Sequence, residues 1–319
     1  MKIVIFGGGG GIGSSLAFNL VRSELPLEIV LVDSRPHMVT SHVMDLEDVL
    51  CYGRASEVRA GTAEEAADAD VVVLTASVPL RLNDSRSSFL LDNAEIVDTI
   101  VAPWAGPEFR GVVLMMTNPV DAFVTRLHHH YGLPDTRVIG YTLNDSLRFR
   151  FGVAAAVGVS VRSVDAWVIG EHGEHQVPLY GRIKISGNPA TLTEVQRASA
   201  QQYVDTWYRR HVALDSGRTS TWSSGLGAAL MIEAMAKGSD EPFPANVVLG
   251  GQYGVRGVGL GVPALLGPTG VQGVVEWPLT DDEQQRFLAG ATSVEAAVAE
   301  LSTHLDGSSV TTLAQQPGV

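Results

Sequence analysis

Cysteine is nearly absent. One thiol, Cys51, in 319 residues excludes an internal disulfide framework and fits a reducing compartment. Cys51 itself reads as a small buried residue. Long apolar runs are missing too, and no segment approaches the roughly 20 residues that a membrane-spanning helix needs. The opening Met1–Phe6 run is too short for a signal-peptide core, so a soluble cytoplasmic protein is expected. Basic residues are in deficit: 22 Lys and Arg stand against 35 Asp and Glu, giving a net charge of −13. Such an excess argues against nucleic acid or an anionic membrane as a partner. Metal-ligand spacing is also lacking. His128, His129 and His130 are adjacent, and neighbouring helical positions point about 100° apart, so the three cannot converge on one ion. A solvated helix end before Gly132 is the simpler reading. His172 and His175 have a zinc-like spacing, but a zinc-bound His172 could not carry a proton.

Hydrophobic residues and glycines are plentiful. The 45% hydrophobic content supplies a packed core for one large or two smaller domains. Lys2–Phe6 is a buried strand, Gly7–Gly13 a turn and Ser14–Arg22 a helix. Glu28–Val32 is a second strand ending at Asp33; Asp70–Thr75 and Val112–Met116 follow, with Met115 and Met116 in the core and helical stretches between. Strands alternating with helices predict an α/β fold with a doubly wound parallel sheet of the Rossmann type. The pattern changes near residue 145. Short β-like runs dominate Val153–Ile185. Helices are expected over Leu192–Val212, Gly225–Ala236 and Thr280–Leu301, with a β-like glycine-rich stretch at Leu249–Leu266. The division is therefore residues 1–144 as the nucleotide domain and 145–319 as an α+β catalytic domain, packed closely without a linker. The small polar tail from Asp306 is expected to be disordered.

The glycine turn reads as a nucleotide site. Gly8, Gly10 and Gly13 form G-x-G-x-x-G, and Gly7, Gly10 and Gly13 offer a second register. Alone the motif is weak. Here a strand precedes it, a helix follows, and Asp33 stands twenty residues beyond Gly13 at the end of the next strand. Glycines let backbone N–H groups approach a pyrophosphate at a helix N-terminus, and Asp33 would accept from the adenosine ribose. A carboxylate there repels a 2′-phosphate, which favours NAD; Arg35, two residues on, leaves NADP open.

A second constellation lies beyond residue 140. Gly170-Glu171-His172-Gly173 carries an imidazole that can move a proton; Asp145 and Arg148, three apart, share one face of a helix. Alone, His172 would more often be a core histidine, Asp145 a helix-start carboxylate and Arg148 a surface arginine, the status expected for Arg150. Collinear with them run Thr75-Ala76-Ser77-Val78-Pro79, Asp84-Ser85-Arg86, Asn93-Ala94-Glu95-Ile96-Val97, Thr117-Asn118-Pro119-Val120-Asp121, Gln176-Val177-Pro178 and Gly261-Val262-Pro263.

From Lys2 to about Leu301 this set resembles the L-lactate/L-malate dehydrogenase family. The resemblance implies an NAD-dependent 2-hydroxy acid dehydrogenase. It makes His172 the proton carrier, Asp145 its orienting carboxylate, and Arg86 the mobile-loop arginine that polarises the carbonyl. Arg148 would grip the substrate's 1-carboxylate with two prongs, and Asn118 would hold both nicotinamide amide and substrate. Cofactor contacts are implied at Gly7, Gly8, Gly10, Gly11, Ile12, Gly13, Asp33, Thr75, Ala76, Ser77, Asn93, Ile96, Thr117 and Asn118. The segment from Pro79 to Arg86 becomes a lid, with Leu82-Asn83-Asp84-Ser85 where the family usually has Pro-Gly.

The two walls of the implied substrate pocket disagree. Where malate dehydrogenases carry an arginine for the second carboxylate, this chain has Leu80, followed by Arg81. A leucine cannot pair with a carboxylate, which points to a 2-oxo acid with an apolar or neutral side chain. The opposite wall, Arg218-Thr219-Ser220-Thr221-Trp222-Ser223, resembles the malate-type pattern more than the lactate-type one, with Ser220 lining the pocket and Trp222 nearby. Malate dehydrogenation with Arg81 turned inward is the alternative. A non-catalytic NAD-binding protein on the same scaffold is an alternative of another class, opposed by the presence of His172, Asp145, Arg148 and Arg86. The related sugar-phosphate hydrolases need a metal, for which no ligand set is evident. Val43–Val49 matches the family's dimer-interface helix, so a homodimer or homotetramer is expected.

Overall fold

The computed structural model describes residues 1–78 and 86–313, the side chains of 86–87 and 306–313 excepted. The first half alternates β1 (Lys2–Phe6), α1 (Gly11–Val21), β2 (Glu28–Val32), α2 (Pro36–Glu47), β3 (Glu57–Ala60), β4 (Val71–Leu74), α3 (Arg86–Val101), β5 (Val112–Met115), α4 (Val120–Tyr131) and β6 (Val138–Tyr141). These six strands pair in the order β3-β2-β1-β4-β5-β6, all parallel. Their apolar runs are continuous because both faces are covered. Period-two alternation then sorts them into two cores. Ile3, Ile5, Ile29, Leu31, Val71, Val73, Val112 and Leu114 pack with Leu16 and Leu20 of α1. Val4, Phe6, Val30, Val72, Leu74, Val113 and Met115 pack on the other face with Ala94 of α3 and Phe123 of α4. This is the expected Rossmann sheet. Its strand order reverses between β1 and β4, which opens a crevice at the carboxyl ends of the strands.

The second half comprises α5 (Leu143–Val157), β7 (Val164–Asp165), β8 (Val168–Gly170), β9 (Gln176–Pro178), β10 (Lys184–Ile185), β11 (Asn188–Pro189), α6 (Glu194–Val212), α7 (Thr221–Lys237), β12 (Phe243–Gly250), β13 (Arg256–Gly267), β14 (Gly270–Val274) and α8 (Asp281–Leu313). It does not form a separate sheet. β12 pairs antiparallel with β6 through Ile139 and Val247, and β13, β8 and β9 continue the same sheet. Only β7, β10 and β11 form a small sheet of their own among the described residues. A third core lies between α5 and α6, around Phe149, Val153, Ala200 and Val204.

Several expectations are corrected. Val153–Val157 is helical, not β-like: Ala154, Ala155 and Ala156 propagate α5 until Gly158, at φ +80°, takes the left-handed turn that ends it. α8 runs to Leu313, past Leu301. Propagation adds one hydrogen bond per residue to a helix already held by packing. Cys51 is exposed, because it sits in a short turn outside the cores. Arg150 is no free surface arginine: it donates to the Ala166 carbonyl at 3.0 Å and pairs with Asp165 at 3.1 Å. The three histidines do end α4 before a left-handed Gly132, but two are tied down, His128 Nδ1 to the Leu133 carbonyl and His129 Nε2 to that of Gly257. Among the described residues no helix is long and apolar enough to cross a membrane.

Candidate active site

The crevice is built from three loops at the ends of β1, β4 and β5. Gly7, at φ +79°, turns the chain out of β1, and the N–H groups of Gly7 and Gly8 both donate to the Val32 carbonyl. A side chain at Gly13 would place its Cβ 2.3 Å from the Gly7 carbonyl oxygen, so only glycine lets the loop close on α1. A Cβ at Gly8 would lie 2.9 Å from that of Leu31. No side chain caps α1, and its first intrahelical bond runs from Ser14 N–H to Gly10 O. The N–H groups of Gly11, Ile12 and Gly13 therefore face outward at the positive end of the helix dipole. That cradle fits a dinucleotide pyrophosphate.

Asp33 ends β2 beside this loop and accepts from Gly9 N–H and Arg35 N–H at 3.0 Å each. Arg35 also reaches it through Nε at 3.1 Å. Burial alone would raise the Asp33 carboxyl, but the bonds to Arg35 outweigh it and hold the group below the ordinary range. The Arg35 side chain, which leaves NADP open in the sequence, here occupies the carboxylate that a ribose would use.

The other two loops are stitched to the first. Thr75 Oγ1 donates to the Phe6 carbonyl at 2.8 Å, and Thr117 Oγ1 to that of Ala76 at 2.8 Å. Buried Asn93 accepts from Val78 N–H at 2.8 Å and donates to the Asn118 carbonyl at 3.1 Å. Asn93 and Thr117 thus spend their polar atoms inside the protein. Ser77 and Asn118 remain exposed at the crevice, with Ala76 and Ile96 half-buried.

His172 follows β8, and α5 delivers Asp145 to it: Nδ1 of the imidazole lies 2.5 Å from Asp145 Oδ2. The carboxylate can only accept, so Nδ1 carries the hydrogen and Nε2 is left to exchange a proton. Among the described residues nothing bonds Nε2. Burial would lower the imidazole pKa; the Asp145 charge and hydrogen bond, with the Asp121 charge, outweigh it and raise the value.

Arg148, one helical turn beyond Asp145, is half-buried on the same face. Its Nη1 is 3.6 Å from Asp145 Oδ1 and its Nη2 donates to Ser220 Oγ at 3.2 Å. Its guanidinium carbon lies 3.9 Å above the Trp207 ring of α6. Trp207 in turn stacks on His211, whose Nε2 is 3.0 Å from the Arg218 carbonyl. One face of the fork is therefore fixed by an aromatic plane, with His172 and Arg148 both gathered around Asp145.

Three residues in this cluster had no role in the sequence reading: Trp207, Asp121 and Asn246. Asp121 accepts the His172 backbone N–H at 2.9 Å and also the Asn246 side-chain N–H. Asp121 stood in the Asn118–Asp121 motif, but nothing local signals a partner 51 residues away. Trp222 is 71% exposed, beside Gly11 and Ser14 in a cleft at the start of α1. His175 has its backbone N–H on Glu171 Oε2 at 2.9 Å. Leu80, Arg81 and the lid lie outside the described residues. So does the side chain of Arg86, the residue at which α3 begins.

Comparison with known proteins supplies relatives for both halves. The model of the lactate/malate dehydrogenase NAD binding domain matches residues 1–140, and that of the lactate/malate dehydrogenase alpha/beta C-terminal domain matches residues 142–304. L-lactate dehydrogenase 1 of Staphylococcus aureus (strain bovine RF122 / ET3-1) is 34% identical over 306 residues, spanning 94% of this chain and 96% of its own length. A malate dehydrogenase from Cryptosporidium parvum superposes with a TM-score of 0.86 at 28% identity, covering 95% of this chain and 99% of the other. The minor L-lactate dehydrogenase of Enterococcus mundtii gives 0.83 at 26% identity, with 93% and 97% covered.

Proposed function

The chain belongs to the lactate/malate dehydrogenase family, and from that premise we propose that it interconverts a 2-hydroxy acid bearing a neutral side chain with its 2-oxo acid, His172 moving the proton. Family membership makes it an NAD-dependent 2-hydroxy acid dehydrogenase. The observation that carries the residue roles is the 2.5 Å His172–Asp145 bond with Arg148 one turn away on the same helix.

Bound at the glycine loop, NAD supplies the hydride acceptor for the substrate's C2. The protein supplies the rest. Arg148 holds the 1-carboxylate by two parallel N–H bonds while Trp207 keeps the guanidinium plane fixed. In oxidation, neutral His172 takes the hydroxyl proton at Nε2, and Asp145 stabilises the imidazolium so formed. In reduction the imidazolium returns that proton to the carbonyl oxygen. Arg86 is assigned to polarise this oxygen as negative charge builds on it, and Asn118 to hold it at the crevice.

Leu80 supports the neutral side chain, since a buried carboxylate left unpaired there costs several kcal/mol. Malate dehydrogenation is the second reading, favoured by Ser220, which lies against Arg148 in a malate-type wall. Steady-state rates with oxaloacetate, pyruvate, 2-oxoisocaproate and phenylpyruvate, each with NADH and with NADPH, separate the two. The expected result is a kcat/KM for the best monocarboxylate at least about tenfold above that for oxaloacetate, with NADH preferred. Dominant oxaloacetate turnover that collapses in Arg81→Ala would establish the malate reading instead.

We also propose self-association through α2. Met44 of that helix is 65% exposed, an apolar side chain that a second copy would cover. Light scattering is expected to give twice or four times the chain mass of 33.9 kDa; a strictly monomeric mass would refute it. The single thiol and acidic composition favour a cytoplasmic setting.

A further inference from the structure

α4 brings a second carboxylate to His172, from behind. Asp121, near the N-terminus of α4, is 3% exposed among the buried side chains of Val120, Ala122 and Phe123. Its Oδ2 accepts the His172 backbone N–H at 2.9 Å, and its Oδ1 accepts from Asn246 of β12. The charged groups facing it are His172 and Glu171 from the loop after β8, and Asp145 from α5 with Arg148 beyond it. The neighbouring strands and α8 add neutral groups: Asn246 from β12, Gly259 beside it from β13, and Ser293, which donates to Glu171.

A neutral amide could accept the His172 N–H equally well. What a carboxylate adds is charge, and in a buried site an unpaired charge is costly. The charge is best compensated when the imidazole beside it is protonated, so the two groups titrate as a pair. Burial, with the Glu171 and Asp145 charges, pushes the Asp121 carboxyl up to about 7 against the opposing pull of the His172 charge and N–H. Its ionisation thus falls in the range where a histidine works.

We infer that Asp121 is a positioning residue for His172 that also sets its proton affinity, holding the loop through the backbone N–H and stabilising the imidazolium by its negative charge. This rests on the reading of His172 as proton carrier. Asp145 then orients the ring, and Asp121 tunes the charge from the backbone N–H of the same residue.

The test is Asp121→Asn, read as pH profiles of kcat/KM in both directions. Asn246 makes the substitution tolerable. Its Oδ1 is buried without a hydrogen-bond partner, so a turned Asn246 amide can accept from the new side chain. Loss of the charge lowers the His172 pKa. Reduction, which needs the imidazolium, is then lost at lower pH as pH rises. Oxidation, which needs the neutral ring, sets in at lower pH. Both limbs are expected to move acidward by about one pH unit, with NADH affinity unchanged. Asn246→Ala is the second variant. It strips a donor from Asp121, whose carboxyl keeps its proton to higher pH, and moves the limbs the same way by less. Uniformly reduced activity with both limbs in place, in whichever variants fold, overturns the inference. His172→Asn separates the two layers: normal turnover in that variant sinks the proton-carrier reading, whereas an inactive His172→Asn beside unmoved limbs sinks only the role of Asp121.

Discussion

His172→Asn is expected to lower kcat by about 10²–10⁴-fold in both directions, the range that a positioned general acid–base group contributes. Asparagine can still bond Asp145, so that carboxylate is not left unpaired. NADH should bind with its wild-type Kd, because among the described residues no hydrogen bond links His172 to the glycine loop or Asp33. Pre-steady-state mixing with NADH and the 2-oxo acid gives the sharper readout: the hydride step itself should slow, and a solvent isotope effect tied to proton transfer should vanish. A variant within tenfold of wild type would show that water or another group moves the proton, and the assignment would fall.

Arg148→Leu is expected to cost the most after that. Removing the guanidinium leaves the substrate carboxylate unpaired in a buried site, a loss of roughly 3–5 kcal/mol, or about 10²–10⁴-fold in kcat/KM. Arg148→Lys keeps the charge but loses the fork, and a smaller loss of about 10²-fold follows. Trp207→Leu should raise KM about tenfold with kcat little changed, since it frees the guanidinium to rotate without removing it. The three variants form a series. If Lys restores full activity, the grip is by charge alone and the planar geometry imposed by Trp207 has no part in it. NADH Kd, measured by fluorescence titration, should stay constant throughout.

The nucleotide half was legible because its signals are local. A β-branched run, a glycine turn and a carboxylate twenty residues on are read from one continuous stretch, and the structure places Asp33 against Gly9 N–H. Edge strand β3, with the sequence Glu-Val-Arg-Ala, has no such pattern. β6 hides its four residues between a turn and a helix. His172, Asp145 and Arg148 came from collinear motifs; their spacing alone would have left a core histidine and a helix-start carboxylate as the better readings. The groups behind them were illegible for a physical reason. Asp121 meets Asn246 across 125 residues, and Trp207 meets Arg148 only because α5 packs on α6. Such contacts depend on how helices and sheet close on each other, which no local pattern encodes. Arg150 was misread on the same account, since its partner Asp165 arrives from a separate strand.

The continuous sheet has a consequence for how such an enzyme can change. From β5, whose end carries the Thr117–Asn118 loop, backbone ladders run through β6, β12 and β13 to Gly170, two residues before His172. The spacing between the Thr117–Asn118 loop and His172 is thus set by main-chain hydrogen bonds, which side-chain substitutions leave alone. Ser220, to which Arg148 donates, lies between α6 and α7, outside those ladders. On the proposed reading, substrate preference can drift through such loop positions while the main chain that carries His172 stays in place, so a new specificity does not require rebuilding the chemistry.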